Sequence, residues 1–417
     1  MISIIGILIF LNVIIKVIVM RDKWLLLLGK WLIMFGEGIQ AVALPIVVYN
    51  FTQSSELLSL AFIFETIPWI FCAPFIILIV TEKFSVKQIY IICSYLRAVL
   101  IFLIPYLIKS SILVSVLFFF LGILNSMSSS IFSTFLKNNL EDKHLNKLLG
   151  FSMGIDDALN IVAPICVTIG ITRHISAVTF IYIDSVLLFF AATLTFLVPY
   201  VEISIKGNDR KSDIFKESFI LTIKKKIVNV MNKNTKYLLI SECSRSIVEG
   251  MCLPLLLIYV INILGHTEET YTYGKIIGSV AQVLISFVYI LMVKHMSTTR
   301  IINIGTMLIF ISLICLFWGY GIKTYLISMV LFGFGTAIRQ LIGANIFISS
   351  FSETELSSNL SIINSIIASS YLVGYCISFA QPFLIPLRIY IIICSLLIIL
   401  PLLFKKWLLS NSTDKKI

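Results

Sequence analysis

Charge is scarce in this chain: charged residues make up 13% of its 417 positions, whereas hydrophobic residues make up 59%. A typical soluble domain carries about 25% charged residues and about 45–50% apolar ones. So little charge leaves too little polar surface to cover a water-soluble globule. We therefore exclude a soluble enzyme, a nucleic-acid-binding protein and a disordered chain, and we expect a membrane protein.

The few histidines and cysteines offer no reactive site. The four histidines are all predicted to lie in loops, so no histidine relay crosses the membrane: His144, His174, His266 and His295. The eight cysteines lie inside apolar runs, where cysteine behaves as a small core residue, so we expect no disulfide framework. Metal-ligand spacing, a GxxxxGK phosphate loop and a nucleophile elbow are absent. We therefore expect no metal, no cofactor, no catalytic residue and no ATP hydrolysis.

Long apolar runs account for most of the chain. A bilayer core of about 30 Å needs roughly 20 apolar residues per helix. Counting from Trp24 predicts twelve spans, near 24–51, 57–80, 89–108, 112–136, 148–171, 177–199, 237–264, 274–293, 301–320, 325–350, 359–381 and 387–403. We expect five parts: an extra N-terminal segment at 1–20, a six-helix bundle at 21–199, a linker at 200–236, a second six-helix bundle at 237–404 and a tail at 405–417.

Basic residues are distributed unevenly between the two predicted faces of the membrane. Twenty-two lie on the side that holds the linker and the tail, and five lie on the other side: Lys109, Arg173, Lys275, Lys323 and Arg388. Cytoplasmic loops carry an excess of lysine and arginine, so both termini and the linker are predicted to be cytoplasmic. The net charge of +11 therefore follows from topology and predicts no nucleic-acid partner. We expect a multi-pass protein of a cell membrane, most simply a bacterial plasma membrane.

Two segments outside the spans have patterns of their own. Residues 1–19 are apolar but include Asn12 and Lys16, which favours either a helix at the membrane interface or a translation start at Met20. In the linker, Ser212 has the character of a helix N-cap, and apolar residues then recur every three to four positions between lysines. We predict an amphipathic helix there, lying against anionic headgroups.

The two halves of the chain resemble each other. A Leu-Pro pair at 44–45 in the first span matches a Leu-Pro pair at 253–254 in the seventh, and a carboxylate precedes each proline, at Glu37 and Glu249. A parallel duplication with a site between the halves, near the membrane midplane, is typical of transporters.

Ionisable residues at bilayer depth are costly and indicate function by default. Seven acidic and four basic residues are predicted there: Glu37, Glu65, Asp156, Asp157, Asp184, Glu242, Glu249, Lys30, Arg97, Arg245 and Arg339. Glu242, Arg245 and Glu249 are spaced by three and four, so they share one helix face. Either this cluster only clamps the bundle, or one of its acids exchanges a proton during transport. The acidic surplus favours a cationic or hydrogen-bond-rich substrate.

These residues have different predicted roles. For proton coupling we consider Glu37, Glu249, Glu242, Asp157 and Asp156, of which the two aspartates cannot both face one cavity. For the substrate cavity or charge pairing we consider Arg245, Arg339, Gln340, Gln40, Asn160, Arg97, Asp184, Glu65 and Lys30. Interhelical pairing is the preferred interpretation of Asp184 and Glu65, and Lys30 is close enough to the cytoplasmic end to snorkel.

Several motifs resemble a known family. The sequence Gly-Glu-Gly-Ile at 36–39, followed by Ala-Leu-Pro at 43–45, is similar to a GDGI…ALP pattern, and Ser94–Leu100 is similar to a DLLRAVL block. Ala73-Pro74 is similar to a GP pair. These motifs occur in the major facilitator superfamily, in the branch of macrolide-efflux and enterobactin-exporter proteins. The resemblance implies twelve helices in two bundles, acting as a monomeric secondary exporter in the lipid bilayer.

The resemblance also implies proton antiport of an amphiphilic drug or a secreted metabolite, and hence a role in antibiotic resistance. The superfamily's cytoplasmic gate would correspond to Glu82, Lys83 and Lys87, although Leu78 replaces its glycine and Val86 one of its arginines. The antiporter motif of the fifth helix is reduced to Ala163-Pro164 with Gly170.

Other functions stay open at this point. A siderophore or metallophore exporter would use Arg97 and Arg339 as contacts to anionic groups, and import instead of export is an alternative direction. A polytopic membrane enzyme acting on a lipid-linked substrate is the alternative from another class. Such an enzyme would be expected to place catalytic residues in a sizeable outer loop, and the predicted outer loops are short. We therefore expect a transporter and not an enzyme.

Overall fold

The computed structural model describes the backbone of residues 2–83, 85–108, 110–139, 155, 158–159, 161–198, 236–319, 321–349, 353–384 and 386–404. Within these ranges every regular element is a helix, which confirms the predicted all-α fold. Seven of the described segments are long and apolar enough to cross a membrane, beginning with Trp24–Thr52. The predicted amphipathic helix of the linker and the tail at 405–417 lie outside the described residues.

The first half of the chain contributes six helices to the described structure. They are α1 (Ile2–Thr52), α2 (Ser55–Lys83), α3 (Val86–Leu107), α4 (Ser111–Asn139), α5 (Ile161–Thr172) and α6 (Ala177–Leu197). Local chemistry fixes some of their ends. The Ser85 hydroxyl accepts a bond from the Gln88 backbone N–H while the Gln88 side chain bonds back, so a capping box starts α3.

The second half of the chain repeats this arrangement. Its helices are α7 (Lys236–Ile258, continued by a π-helical turn at Tyr259–Ile263), α8 (Glu268–His295), α9 (Thr298–Trp318), α10 (Ile322–Ser349), α11 (Glu353–Leu384) and α12 (Leu387–Leu403). Helix α8 begins six residues before the predicted span, because Thr267 ends the preceding turn and Glu268 and Glu269 occupy the first helical turn, where acidic residues are stabilising. Lys275, predicted at the outer end of this span, therefore lies about two turns inside the helix.

Helix α1 extends well beyond the first predicted span. It runs without a break from Ile2 to Thr52, which is 51 residues and about 77 Å at 1.5 Å per residue. The segment at 1–20 was predicted as a separate interfacial helix or as untranslated sequence. Its described part, residues 2–20, is continuous in backbone with the span that starts at Trp24. The bilayer core of about 30 Å accommodates fewer than half of these residues.

Equivalent helices pack together in the two halves. The pairs α1–α6, α2–α4, α3–α4 and α3–α6 recur as α7–α12, α8–α10, α9–α10 and α9–α12. Close approaches recur as well. A methyl group at Gly38 of α1 would lie 2.7 Å from the Ala163 side chain of α5, and one at Gly250 of α7 would lie 2.6 Å from the Tyr371 carbonyl of α11. The structure is therefore two like bundles of six helices, as the internal repeat predicts.

The two bundles contact each other mainly through α2 and α11. The Ser59 and Ser378 hydroxyls lie 3.1 Å apart, and the rings of Phe62 and Tyr375 stack with their centroids 5.3 Å apart. Beyond them, the hydroxyl of Tyr49 donates to Asn262 at 3.2 Å, which joins the ends of α1 and α7. These contacts lie toward the predicted outer ends of the helices, and they join the two bundles at that end.

Candidate functional site

A polar cavity lies between the two bundles, at the depth of the membrane. It has two parts of about 390 Å³ each, and Ala41, Leu253 and Lys275 line both. The first part is lined mainly by α7, α8, α9 and α10, and Glu249 and Gln340 face it. The second part is lined mainly by α1 and α2, and it includes Glu37, Gln40, Glu65 and Asn125. The volume is in the range of sites for small organic molecules.

The charged residues of α7 form a bonded network with one arginine at its centre. Arg245 Nε donates to Glu242 Oε2 at 2.8 Å, and Arg245 Nη1 donates to Glu249 Oε1 at 2.5 Å. The spacing of three and four residues aligns the three side chains, as predicted from the sequence. All three are buried, with Glu249 6% exposed and Arg245 4% exposed.

Two further helices complete this network. Arg339 of α10 donates from Nε to Glu242 Oε1 at 3.0 Å and from Nη1 to the Thr306 hydroxyl of α9 at 2.6 Å. On the other side, the Tyr371 hydroxyl of α11 donates to Glu249 Oε2. Each carboxylate oxygen of Glu242 and Glu249 therefore has a donor, which is the condition under which buried charges are tolerated.

The first bundle contains a smaller ion pair. Arg97 of α3 donates from Nη2 to Glu37 Oε1 of α1 at 3.0 Å. The Arg97 side chain is 3% exposed and that of Glu37 is 37% exposed, so the arginine is enclosed while the carboxylate faces the cavity. Each bundle thus presents a cavity-lining carboxylate, Glu37 or Glu249, that is paired with an arginine of the same bundle.

Asp184 of α6 is buried without a bonding partner. It is 1% exposed, and neither carboxylate oxygen accepts a hydrogen bond from a described residue. Its side chain packs directly on the Cα face of Gly36 in α1, one residue before Glu37, which explains why α1 has a glycine there. Interhelical pairing was predicted for Asp184, and the described residues supply only this packing contact.

The remaining predicted residues are placed as follows. Gln40 lines the second part of the cavity and Gln340 the first, whereas Lys30 is half-buried on α1. Lys87 donates from Nζ to the Phe196 carbonyl at 2.9 Å and to the Val198 carbonyl at 2.5 Å, so it caps the end of α6. Outside the described side chains lie Asp156, Asp157, Asn160, Glu82 and Lys83.

Several residues of the site were missed by the sequence analysis, among them Lys275, Tyr371 and Asn125. Lys275 was counted among the outer-side basic residues because the start of α8 was placed too late, and the acidic pair after Thr267 is the signal that could have corrected it. Tyr371 and Asn125 carry no charge, so the search for ionisable residues at membrane depth passed over them. No signal in the sequence brings Tyr371 to Glu249, because 122 positions separate the two residues.

The cavity lining is suited to binding a small molecule and to exchanging protons. Within the described residues, no group of three histidine, cysteine or carboxylate side chains is arranged to hold a metal ion. The lining combines carboxylates, one ammonium group, amides, hydroxyls and apolar walls. Such a surface can bind an amphiphilic molecule, and its carboxylates can accept or release a proton.

Two like helical bundles around a polar cavity at membrane depth define a membrane transporter. The sequence model of the Major Facilitator Superfamily matches residues 26–375, and the chain belongs to that superfamily. It is accordingly a multi-pass secondary transporter and not an enzyme. No curated protein matches the chain in sequence.

Solved transporters share this fold at low sequence identity. The nucleoside transporter NupG has a TM-score of 0.72 at 12% identity, over 94% of this chain and 100% of NupG. The D-xylose-proton symporter has a TM-score of 0.70 at 14% identity, over 95% of this chain and 99% of the symporter. A bacterial homologue of the iron transporter ferroportin, solved in an inward-facing state, has a TM-score of 0.67 at 13% identity, over 93% and 99% of the two chains. These likenesses confirm the two-bundle fold.

Proposed function

We propose that the chain is a proton-coupled exporter of a small amphiphilic molecule, which crosses the membrane through the cavity by alternating access. The observation that carries this proposal is the pair of cavity-lining carboxylates, one in each bundle, each held by an arginine of its own bundle. A proton that enters the cavity neutralises such a carboxylate and removes its attraction for the arginine. The arginine, released from its ion pair, then forms other contacts. The contacts that stabilise one orientation of the two bundles are thereby changed.

Glu37 is the carboxylate best placed for this step. Its side chain is partly open to the cavity, whereas its partner Arg97 is enclosed. Glu249 has donors on both oxygens, from Arg245 and Tyr371, so a proton that binds either oxygen must displace a donor. We therefore assign proton exchange first to Glu37 and a holding role in the second bundle to Glu249.

The proposed outward direction of transport rests on a sequence resemblance. The Gly-Glu-Gly-Ile and Ala-Leu-Pro segments at 36–45 are similar to those of macrolide-efflux proteins, and they include the proton-exchanging residue assigned above. The D-xylose-proton symporter, whose name records proton coupling, has the same fold. The first observation supports the outward direction, and the second supports proton coupling.

The test separates coupling from transport. Proteoliposomes would be supplied with erythromycin, ethidium or fluorescein (a base, a permanent cation and an anion). The net movement of each compound across the bilayer would be followed with and without a pH gradient. We expect Glu37→Gln to lose the accumulation driven by the gradient by at least about tenfold. Exchange of labelled for unlabelled substrate should continue in this variant, because exchange needs no net proton movement.

A matched control is Glu268→Gln, which removes a carboxylate from the first turn of α8, away from the cavity lining. It should leave gradient-driven transport at the wild-type level. If Glu37→Gln accumulated substrate as well as the wild type under the same gradient, the coupling role of Glu37 would be wrong. If none of the three compounds moved, export of an amphiphilic drug would be the wrong proposal.

A further inference from the structure

Lys275 is a basic residue of the cavity that forms no ion pair with a described carboxylate. It lies on α8 and lines both parts of the cavity, and its Nζ lies 5.7 Å from the centroid of the Tyr271 ring. Among the described side chains, no carboxylate lies within ion-pair distance of it. An ammonium group at this depth is costly and indicates a function.

Two of the neighbouring carboxylates are paired with arginines. Glu249 lines the same cavity, but its two oxygens accept from Arg245 and Tyr371. Glu37 accepts from Arg97. Glu65 also lines the second part of the cavity without forming an ion pair to Lys275. Three of the seven acidic residues counted in the sequence, Glu37, Glu242 and Glu249, are thus paired with buried arginines, and the ammonium group of Lys275 faces the cavity without an ion pair to a described carboxylate.

Polar groups on the same face of α8 extend from Lys275. Ser279 and Gln282 follow it by four and seven residues, so the three share one helix face along the cavity. Gln282 is oriented by its side-chain nitrogen, which donates to the Thr336 hydroxyl of α10 at 3.3 Å. Apolar side chains such as Phe332 line the same part of the cavity. This surface offers one cation, hydroxyl and amide groups, and an apolar wall.

We propose that Lys275 binds the anionic group of the transported molecule, and that the substrate is an organic acid with an apolar body. This inference rests on the proposed function in one respect, since it takes the cavity as the transport site. It reverses the preference for a cationic substrate that the count of acidic residues suggests. Ser279 and Gln282 would bind the polar atoms next to the anion, and the wall that includes Phe332 would contact the apolar body.

Binding can be measured without transport by using three probes with one skeleton. 2-Naphthaleneacetate is an anion, 2-naphthaleneacetamide is neutral and 2-(2-naphthyl)ethylamine is a cation. Each would be titrated into the purified full chain in detergent, with the shift in melting temperature giving the affinity. We expect the acetate to bind at least about tenfold more tightly than the amide or the amine, since only the acetate can form a hydrogen bond in which both partners are charged.

Variants assign this preference to one residue. Lys275→Gln should weaken acetate binding about tenfold or more and leave amide binding unchanged, and Lys275→Arg should retain the preference. Lys323→Gln is the matched control, because Lys323 is an exposed lysine in the first turn of α10. The melting temperature of each variant without probe would show whether the variant is folded. If Lys275→Gln did not fold, the comparison of Lys275→Arg with the wild type would still test the preference for the anion.

Three outcomes would overturn the Lys275 site. They are equal or tighter binding of the amine, an anion preference that survives in Lys275→Gln, and the absence of binding by all three probes. None of them bears on proton-coupled export, which is measured in proteoliposomes under a pH gradient. Conversely, a confirmed anion preference together with failed gradient-driven transport would leave the binding site standing and reject the proposed coupling.

Discussion

Glu242 forms ion pairs with two arginines. One oxygen accepts from Arg245 Nε at 2.8 Å and the other from Arg339 Nε at 3.0 Å, and the residue is 3% exposed. Glu242→Gln keeps the shape but removes the only charge that faces both guanidinium groups within the described network. Breaking a buried ion pair by removing one partner costs about 3–5 kcal/mol. We expect a large drop in the melting temperature of the purified protein.

Asp184→Asn supplies the comparison for that variant. It makes the same loss of one charge at a buried carboxylate, but Asp184 has no bonding partner among the described residues. An amide avoids the cost of burying an unpaired charge, so its stability should equal or exceed that of the wild type. Equal destabilisation of the two variants would show that the pairing of Glu242 contributes nothing specific.

At the scale of single residues, the sequence predicts which charged residues share a helix face, but it does not predict which residues of other helices pair with them. The spacing of Glu242, Arg245 and Glu249 predicts one shared face, because helix geometry relates residues three and four apart. The roles of Arg339 and Tyr371 depend on packing between helices that are distant in sequence, which no periodicity encodes. The site residues of the fifth helix stay predictions.

At the scale of helices, small residues determine how closely α7 and α11 approach. A methyl group at Gly374 of α11 would lie 2.9 Å from Gly250 Cα and 2.9 Å from the Met251 backbone nitrogen of α7. Small residues at such crossings allow close backbone packing in membranes. Gly374→Ala should therefore separate the two helices and weaken the bond from Tyr371 to Glu249. We expect a loss of stability of about 1–3 kcal/mol, measured by thermal unfolding in detergent.

Gly321→Ala is the control for the same replacement without steric obstruction, because a methyl group at Gly321 meets no atom within 4 Å. Its melting temperature should stay close to that of the wild type. If Gly374→Ala were as stable as Gly321→Ala, the close approach of α7 and α11 would not limit the packing of the second bundle.

Helix positions follow from sequence more reliably than helix ends. An apolar run of about 20 residues has few alternatives to a membrane helix, since the bilayer requires every backbone group to be bonded within the segment. Ends depend on local polar residues instead. The acidic pair at 268–269 moves the start of α8 outward by six residues, so Lys275 lies inside the helix and lines the cavity, and not at the outer end of the span as predicted.

At the scale of the whole molecule, the repeat in the sequence predicts two bundles but not their contact. The matching Leu-Pro pairs at 44–45 and 253–254 lie at equivalent places in α1 and α7. Which ends of the bundles touch depends on long-range contacts of α2 with α11, and no local pattern specifies them. In the structure these contacts lie toward the predicted outer ends, through Ser59 with Ser378 and Phe62 with Tyr375.

Alternating access requires these contacts to separate when the cavity opens on that side. Cysteines at 59 and 378 would test this, because the two hydroxyl oxygens are already 3.1 Å apart and a disulfide requires neighbouring side chains of this kind. In a background without native cysteines, a third cysteine at Ser279 would report on access to the cavity. We expect oxidation of the 59–378 pair to protect that cysteine from a membrane-impermeant maleimide added outside intact cells.

Reduction should restore labelling, since it frees the two bundles to move apart. Variants with only one of the two cysteines at 59 and 378 should be labelled equally before and after oxidation. Were the fully cross-linked protein still labelled from outside, the cavity would be reached without separation of α2 from α11. The contact between the bundles would then be a fixed hinge, and the opening would have to lie along another pair of helices.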